Sequence, residues 1–271
     1  MTGLTSEVTD PPLHDIAIET VDLLGVPVAV LSPERAAQLV VAAAESSRSD
    51  GSPRYVCATS VHGLIVGSED LRFREILNEA WLVVPDGMPL VWSGWLAGYR
   101  SMRRVYGPEL ARRVCELSAG RQIRHFFYGG APGVADELAE RMRGRFPGLV
   151  VAGTHCPPFR PLSDGELAEV ADMINGSRAG IVWVGLSTPR QERWISAIRG
   201  RLRVKVLVSV GAAFDFHTGR LRQAPSWIQR AGFEWLFRLM QEPWRLGRRY
   251  AYNNPKFVYL ALRQLLRRSR S

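Results

Sequence analysis

Cysteine is scarce in this sequence, and its three residues lie far apart. Cys57, Cys115 and Cys156 are odd in number, and no two of them have the spacing of a metal-ligand pair. We therefore expect all three to be reduced and buried. A disulfide-stapled scaffold and a cysteine-bound zinc domain are excluded.

Long hydrophobic runs are also missing, although 46% of the 271 residues are hydrophobic. No uninterrupted apolar run approaches the roughly 18 residues that a membrane-spanning helix needs. Residues 1–12 are polar and proline-rich, without the basic-then-apolar pattern of a secretion signal. The sequence thus predicts a flexible arm over residues 1–12 and a cytoplasmic protein.

Several nucleotide and catalytic motifs are absent as well. There is no Walker-type loop, no Asp-x-Asp metal motif and no nucleophile elbow. The Gly129–Val134 loop does not fit G-x-G-x-x-G, and the strand predicted after it does not end in an acidic residue that would hold a ribose. An NAD or FAD enzyme is therefore disfavoured, and we expect no cofactor and no metal.

Acidic residues are rare in the last fifth of the chain. From Arg220 onward twelve basic residues face only Glu234 and Glu242, a net charge of +10, whereas the whole chain carries +9. A near-neutral body therefore carries a basic tail. Such asymmetry indicates an anionic partner, either phosphates, a nucleic acid or an acidic membrane face, or else a solvated basic surface.

Short apolar runs alternate with segments of helical period through the body of the chain. This alternation predicts a Rossmann-like α/β fold, a mostly parallel sheet with helices on both faces. The predicted strands are Arg54–Ser60, Trp81–Val84, Ile123–Tyr128, Leu149–Thr154, Gly180–Gly185 and Lys205–Val210. The predicted helices are Pro33–Ala44, Pro89–Ala97, Pro108–Leu117, Pro132–Phe146, Asp164–Ile174 and Pro189–Ile198.

The pattern changes after Gly219, so we divide the chain into a catalytic domain over residues 13–219 and a basic helical appendage over residues 220–271. A helix is predicted over Ser226–Met240, with breaks at Pro243 and again at Asn253-Asn254-Pro255. The final segment, Lys256–Arg268, has one apolar face beside arginines. That pattern is typical of an interfacial helix on a membrane, and equally of a terminal helix packed on the body.

Ligands in such folds bind at the carboxyl ends of the strands, and polar residues follow four of the predicted strands. Asp86 precedes a glycine there, which suits a general base but also a common Asp-Gly turn. Ser60 suits a close ligand or a helix cap, and His62 is more typical of a structural histidine. The glycines of Gly129–Val134 suit either a nucleotide diphosphate or a tight turn.

Six stretches in this order resemble the WecG/TagA/CpsF glycosyltransferase family, and the resemblance covers nearly all of the chain beyond the arm. They are Val84–Pro89, Arg104–Pro108, Phe127–Gly133, Pro189–Glu192, Gly211–Asp215 and Glu234–Arg238. The resemblance implies an inverting enzyme that transfers a hexosyl or N-acetylhexosaminyl group, without a metal, from a UDP-sugar to an undecaprenyl-diphosphate-linked acceptor. The resemblance also implies that such an enzyme acts in the synthesis of cell-surface polysaccharides or wall polymers.

The resemblance also implies roles for individual residues. Asp86 would be the general base and Arg104 its catalytic neighbour. The substrate-binding residues would be Ser60, Gly130, Gly133, Gln191, Asp215, Arg238, Arg245 and Arg248. Many family members carry Asn at the position of Ser60 and Thr at that of Ala58, so the sequence leaves the donor sugar open.

The expected partners are thus the sugar donor, the lipid-linked acceptor and the anionic inner face of the cell membrane, with no nucleic acid. Two other functions remain open on the residues alone. A basic tail also suits a phosphate- or nucleic-acid-binding module. A membrane scaffold without turnover would show the same charge pattern.

Overall fold

The computed structural model describes residues 17–46 and 51–268, so the predicted arm over residues 1–12 lies outside the described residues. A small antiparallel hairpin precedes a six-stranded sheet in which every pairing is parallel, in the order β4-β3-β8-β7-β5-β6. The strands are β1 Thr20–Leu23, β2 Val26–Ala29, β3 Arg54–Thr59, β4 Leu82–Pro85, β5 Arg124–Gly129, β6 Val150–His155, β7 Ile181–Gly185 and β8 Val206–Ser209.

Twelve α-helices surround this sheet in the described part of the chain. They are α1 Pro33–Glu45, α2 Val61–Glu69, α3 Leu71–Asn78, α4 Met88–Leu96, α5 Gly107–Ser118, α6 Val134–Arg145, α7 Asp164–Ser177, α8 Arg190–Ile198, α9 Ala213–His217, α10 Ser226–Arg230, α11 Glu234–Gln241 and α12 Pro243–Arg268. The predicted mostly parallel α/β fold is confirmed.

Two hydrophobic clusters show that helices cover both faces of the sheet. Successive strand residues alternate between them, as the two-residue period of a strand requires. In β7, Trp183 joins the cluster that contains α1, α5 and α6, whereas Val182 and Val184 join the cluster of α2, α3, α7 and α8. All six strands of the main sheet fall within one residue of their predicted bounds. Five of them are largely buried and read as continuous apolar runs, whereas the edge strand β6 is half-buried.

The sequence reading missed the hairpin of β1 and β2 and the two helices α2 and α3. Leu24, in a left-handed conformation, and Gly25 form the two-residue turn between the hairpin strands, and they are not one of the residue pairs that usually mark such turns. In α3, Asp70 supplies a conventional N-cap, its side chain accepting from the N–H of Phe73 at 3.1 Å.

Two predictions for the C-terminal helices were wrong. Ser226–Met240 is not one helix, because the chain turns at Gly232, whose φ is +77°. The second error is the predicted break at Asn253-Asn254-Pro255, since α12 runs through Pro255. Buried Asn253 and Phe257 anchor the helix on both sides of the proline, and the proline itself is exposed, so water can satisfy the carbonyl that lacks an N–H partner. The break at Pro243 is confirmed, with the proline in the first turn of α12.

None of the helices in residues 17–46 and 51–268 has both the length and the apolar character that a membrane crossing requires.

Candidate active site

The carboxyl end of β4 places Asp86 beside two neighbouring elements. Its N–H donates to the carbonyl of Thr59 at 2.9 Å, which fixes the backbone after β4 against the end of β3. Its carboxylate accepts from the N–H of Gly107 at 3.3 Å, at the N-terminus of α5. A side chain at position 107 would lie 2.9 Å from the carbonyl of Val210, so glycine allows α5 to approach this closely.

The surroundings of Asp86 shift the pKa of its carboxyl group toward neutral pH. Burial raises the pKa of Asp86 to about 7; the charge of Glu234 also raises it, while Arg104, the N–H of Gly107 and Arg238 lower it. The group therefore loses its proton as the pH rises through about 7. Such a pKa is well matched to general-base catalysis.

Arg104 connects Asp86 to the C-terminal helices. Its Nε donates to the carbonyl of Asp86 at 2.9 Å, and its Nη2 lies 2.5 Å from Oε2 of Glu234 at the start of α11. Its guanidinium also stacks over the ring of Tyr106, 4.2 Å from the ring centre. One arginine thus holds the loop of the candidate base and α11 together.

A cavity of about 300 Å³ opens at this point, between the strand ends and the C-terminal helices. Four of the residues that the family resemblance implied line it: Ser60, Asp86, Arg104 and Arg238. Further polar lining comes from His62, Tyr106, Gln229, Glu234, Arg249, Tyr250, Asn253 and Asn254. The cavity therefore combines a carboxylate whose pKa is about 7 with positively charged arginines.

Arg238 lies between the two groups of predicted residues. Its guanidinium is 5.4 Å from the ring centre of Phe216 and 3.7 Å from Oε2 of Glu242. Its positive charge lowers the pKa of both Asp86 and Asp215, although burial leaves each carboxyl above its ordinary value. Its Nε is buried, with no hydrogen-bond partner among the described residues, so it is available to an anion.

Gly130 and Gly133 lie in the loop from β5 to α6 and do not line this cavity. Both have positive φ, +77° and +79°. A Cβ on Gly130 would come within 2.8 Å of Cβ of Val134, and its N–H donates to the carbonyl of Gly185 at 3.0 Å. Backbone geometry thus explains these glycines, and their role toward a nucleotide stays a prediction.

Gln191 is fully buried, and the structure uses its side chain internally. Its Oε1 accepts from the N–H of Gly211 at 3.0 Å, and its Nε2 donates to Oε1 of Glu192 at 2.9 Å. Thr188 donates to the same carboxylate oxygen at 2.9 Å, and burial raises the pKa of Glu192. Gln191 therefore holds the loop after β8 in place, and donor contact by this residue stays a prediction.

The remaining predicted residues lie near the cavity without lining it. Asp215 lies in α9, where Arg220, Arg245 and Arg238 act on its pKa. Arg245 is exposed and paired with Glu242 at 2.5 Å, and Arg248 is exposed on α12. Neither arginine lines this cavity, so their contact with a diphosphate stays a prediction.

Comparison with known proteins decides which family this chain belongs to. A model of the glycosyl transferase WecG/TagA/CpsF family matches residues 21–271. The chain belongs to this family. It is 33% identical over 195 residues to an N-acetylglucosaminyldiphosphoundecaprenol N-acetyl-β-D-mannosaminyltransferase of Bacillus spizizenii, covering 71% of this chain and 72% of that protein. A protein of the same name from Bacillus subtilis strain 168 is 27% identical over 199 residues, covering 72% and 74%.

Four charged or polar residues of this glycosyltransferase site had no role assigned from the sequence. Glu234 was part of a motif that carried the family resemblance, and its position among basic residues was the signal that could have found it. His62, read as structural, makes a 3.0 Å contact with Asn253 of α12. Arg249 and Asn253 could not be found, because the predicted helix break hid the face of α12 that they share.

Proposed function

We propose that this glycosyltransferase is an inverting, metal-independent enzyme that moves a sugar from a UDP-sugar to an undecaprenyl-diphosphate-linked acceptor at the inner face of the cell membrane. The single observation that carries the proposal is the cavity itself. There a carboxylate with a pKa near 7 stands beside arginines whose charge is not fully neutralised.

The proposed reaction uses these groups in the following way. Asp86 removes the proton from an acceptor hydroxyl, and the oxygen forms a bond to the anomeric carbon of the donor sugar. The bond from that carbon to the diphosphate oxygen breaks on the opposite face, so the anomeric configuration inverts and UDP leaves. The product therefore carries the sugar in a new glycosidic bond, and the proton stays on Asp86 until solvent removes it.

The arginines account for the leaving group. The departing UDP gains negative charge, which must be stabilised for the bond to break. Arg104 is already neutralised by Glu234 at 2.5 Å. Arg238 shares Glu242 with Arg245, and its buried Nε has no hydrogen-bond partner among the described residues. We therefore assign the developing charge to Arg238, in place of the divalent cation that an Asp-x-Asp motif would hold. In the described part of the chain, no three His, Cys, Asp or Glu side chains are grouped to bind a metal.

The names of both relatives favour the transfer of an N-acetylhexosamine. Each names an acceptor in which N-acetylglucosamine is joined through a diphosphate to undecaprenol, and each names N-acetylmannosamine as the sugar transferred. We propose the same acceptor class for this enzyme. Ser60 lines the cavity at a position where many family members carry Asn. The identity of the donor sugar is therefore to be determined with a panel of donors.

Incubation of the full-length enzyme with a panel of UDP-sugars and a short-chain polyprenyl-diphosphate N-acetylglucosamine tests this proposal. We expect UDP release and a disaccharide product with at least one donor, unchanged by EDTA because arginine stabilises the leaving group. Mass spectrometry and UDP detection provide the readout. Activity lost in EDTA and restored by Mg²⁺ or Mn²⁺ would contradict metal independence. No product with any donor would contradict the proposed function.

An exposed apolar surface on the C-terminal helices favours a membrane as the enzyme's location. It comprises Trp227, Phe233, Leu236, Met240, Trp244, Tyr259, Leu262 and Leu266. Trp244 is 94% exposed and Met240 68%, which is unusual for such side chains in water. Beside them are the exposed arginines of α12. We propose that this surface lies in the interface of an anionic bilayer.

The membrane proposal predicts that exchanging Met240 and Trp244 together for glutamine weakens binding to anionic vesicles by tenfold or more. Burial of such a side chain contributes about 1.5–3 kcal/mol. Turnover of a water-soluble acceptor analogue should persist. Leu71→Gln is the matched control, because Leu71 is 60% exposed on α3. Co-sedimentation measures binding. Equal vesicle binding by the double variant, or tighter binding to duplex DNA than to vesicles, would refute the assignment.

A further inference from the structure

The cavity-facing side of α12 changes in character along its length. Arg249, Asn253 and Phe257 recur every four residues and therefore share one side of the helix, with Tyr250, Asn254 and Val258 beside them. All six line the cavity. Since a helix rises 1.5 Å per residue, about 12 Å separates the arginine level from the phenylalanine level. Along the helix the cavity lining therefore changes from a cationic side chain to amide side chains and then to apolar ones.

Arg249 is unlike the other arginines of its helix. Arg245 is paired with Glu242, and Arg248 is exposed. In contrast, Nε of Arg249 is buried with no hydrogen-bond partner in the described part of the chain. Burial lowers the pKa of Arg249, a hydrogen bond with Tyr250 raises it, and the charges of Arg238 and Arg245 lower it. A guanidinium whose buried Nε has no partner and which lies next to other cations is a site for an anion.

The neighbours of Arg249 differ in part from those of Arg238. Arg238 acts on Asp86 and on Asp215, whereas Arg249 acts on His62. The two arginines also act on each other and on Glu242. His62 in turn contacts Asn253 at 3.0 Å. Along α12 the cavity lining therefore follows the order Arg249, the two asparagines and the apolar pair Phe257 and Val258, with Arg238 on α11.

We infer that Arg249 binds the diphosphate of the lipid-linked acceptor, whose sugar reaches Asp86 and whose first isoprene units lie against Phe257 and Val258. The inference rests on the proposed function and adds the orientation of the acceptor. A sugar-diphosphate-lipid has its charge and its apolar chain in the order of the α12 lining, with the sugar on the other side of the charge. Arg238 then binds the diphosphate of the donor, so a different arginine binds each substrate.

Two acceptors that differ in one phosphate test this assignment: the same sugar and the same short lipid, joined by a diphosphate or by a monophosphate. Wild-type enzyme should prefer the diphosphate. In Arg249→Gln the KM for the diphosphate acceptor should rise about ten- to a hundredfold, as expected for lost charge-assisted hydrogen bonds. The KM for the monophosphate acceptor and for the donor should change little. Arg249→Lys should keep part of the preference.

The controls separate the possible failures. Arg160→Gln removes an exposed arginine paired with Glu166, far along the chain from the cavity, and should leave all constants unchanged. A rise in donor KM alone would reassign Arg249 to the donor, and equal loss on both acceptors would show a structural role. If Arg249→Gln fails to fold, Arg249→Lys provides the test: a reduced preference for the diphosphate acceptor would support the assignment, and an unchanged preference would overturn it. Absence of transfer by wild-type enzyme to either acceptor would refute the proposed function instead.

The apolar end of the cavity gives a second measurement of orientation. Extending the lipid of the acceptor by two isoprene units should lower the KM for wild-type enzyme. In Val258→Asn, which replaces an apolar cavity residue, that gain should shrink severalfold. An undiminished gain would show that the lipid lies elsewhere and would overturn the proposed orientation.

Discussion

Asp86→Asn should lower turnover by about a hundred- to ten-thousandfold, the contribution typical of general-base catalysis. Asparagine keeps the size of the side chain and can still accept from the N–H of Gly107, so fold and UDP binding should be retained. Wild-type turnover should fall as the pH drops through about 7, because the carboxylate becomes protonated there. The residual rate of the variant should lack this dependence. Initial rates from pH 5 to 9 provide the measurement.

Glu234→Gln is the matched comparison for the acidity of Asp86. The negative charge of Glu234 raises the pKa of Asp86, and its removal also leaves the charge of Arg104 unopposed. The acid limb of the pH profile should therefore move to lower pH, with turnover reduced but not abolished. Wild-type rates in Asp86→Asn, or an acid limb that stays in place in Glu234→Gln, would show that another group is the base.

Arg238→Ala should lower turnover by about a hundred- to a thousandfold, even on a water-soluble acceptor. Loss of one preorganised donor to a developing negative charge costs about 3–4 kcal/mol of barrier. The effect should fall on kcat more than on the donor KM, because the charge develops in the transition state. Steady-state kinetics with the soluble analogue separates the two constants. Vesicle binding should fall only slightly, since one charge near an anionic surface contributes about 1 kcal/mol.

Arg238→Ala and the membrane variants should show opposite effects. Exchange of Met240 and Trp244 should weaken vesicle binding while sparing catalysis in solution, and Arg238→Ala should do the reverse. Arg160→Ala controls for the loss of one positive charge. If Arg238→Ala keeps full turnover on the soluble analogue, the metal-free account of the leaving group is wrong.

The parallel sheet was predictable because its strands are apolar on both faces and bounded by glycine, proline or polar residues. β7 is an example, with Ile181 through Val184 buried without interruption. The hairpin was not predictable, since Thr20–Leu23 and Val26–Ala29 are four residues each and too short to give a clear period. In α12 the local signal of Asn253-Asn254-Pro255 was overridden by tertiary contacts, which sequence patterns do not contain.

The candidate site was predictable where it follows a strand and not where it depends on packing. Asp86 lies after an apolar strand, so its position could be read directly. That Glu234 would lie 2.5 Å from Arg104 depends on how α11 packs against the loop after β4. The orientation of the tail arginines depends on helix packing in the same way. Which of Arg238, Arg245, Arg248 and Arg249 turns inward depends on the angle at which two helices meet.

The ion pair between Arg104 and Glu234 makes the pKa of Asp86 depend on a distant part of the chain. With α11 displaced, Asp86 would keep Arg104 behind it and lose the carboxylate that offsets that charge, and its conjugate acid would become stronger. In the proposed mechanism such a chain would be a poor catalyst for attack by water as well as by an acceptor sugar. The dependence of Asp86 on docking of the last helices would then protect the energy-rich donor from hydrolysis while those helices are displaced.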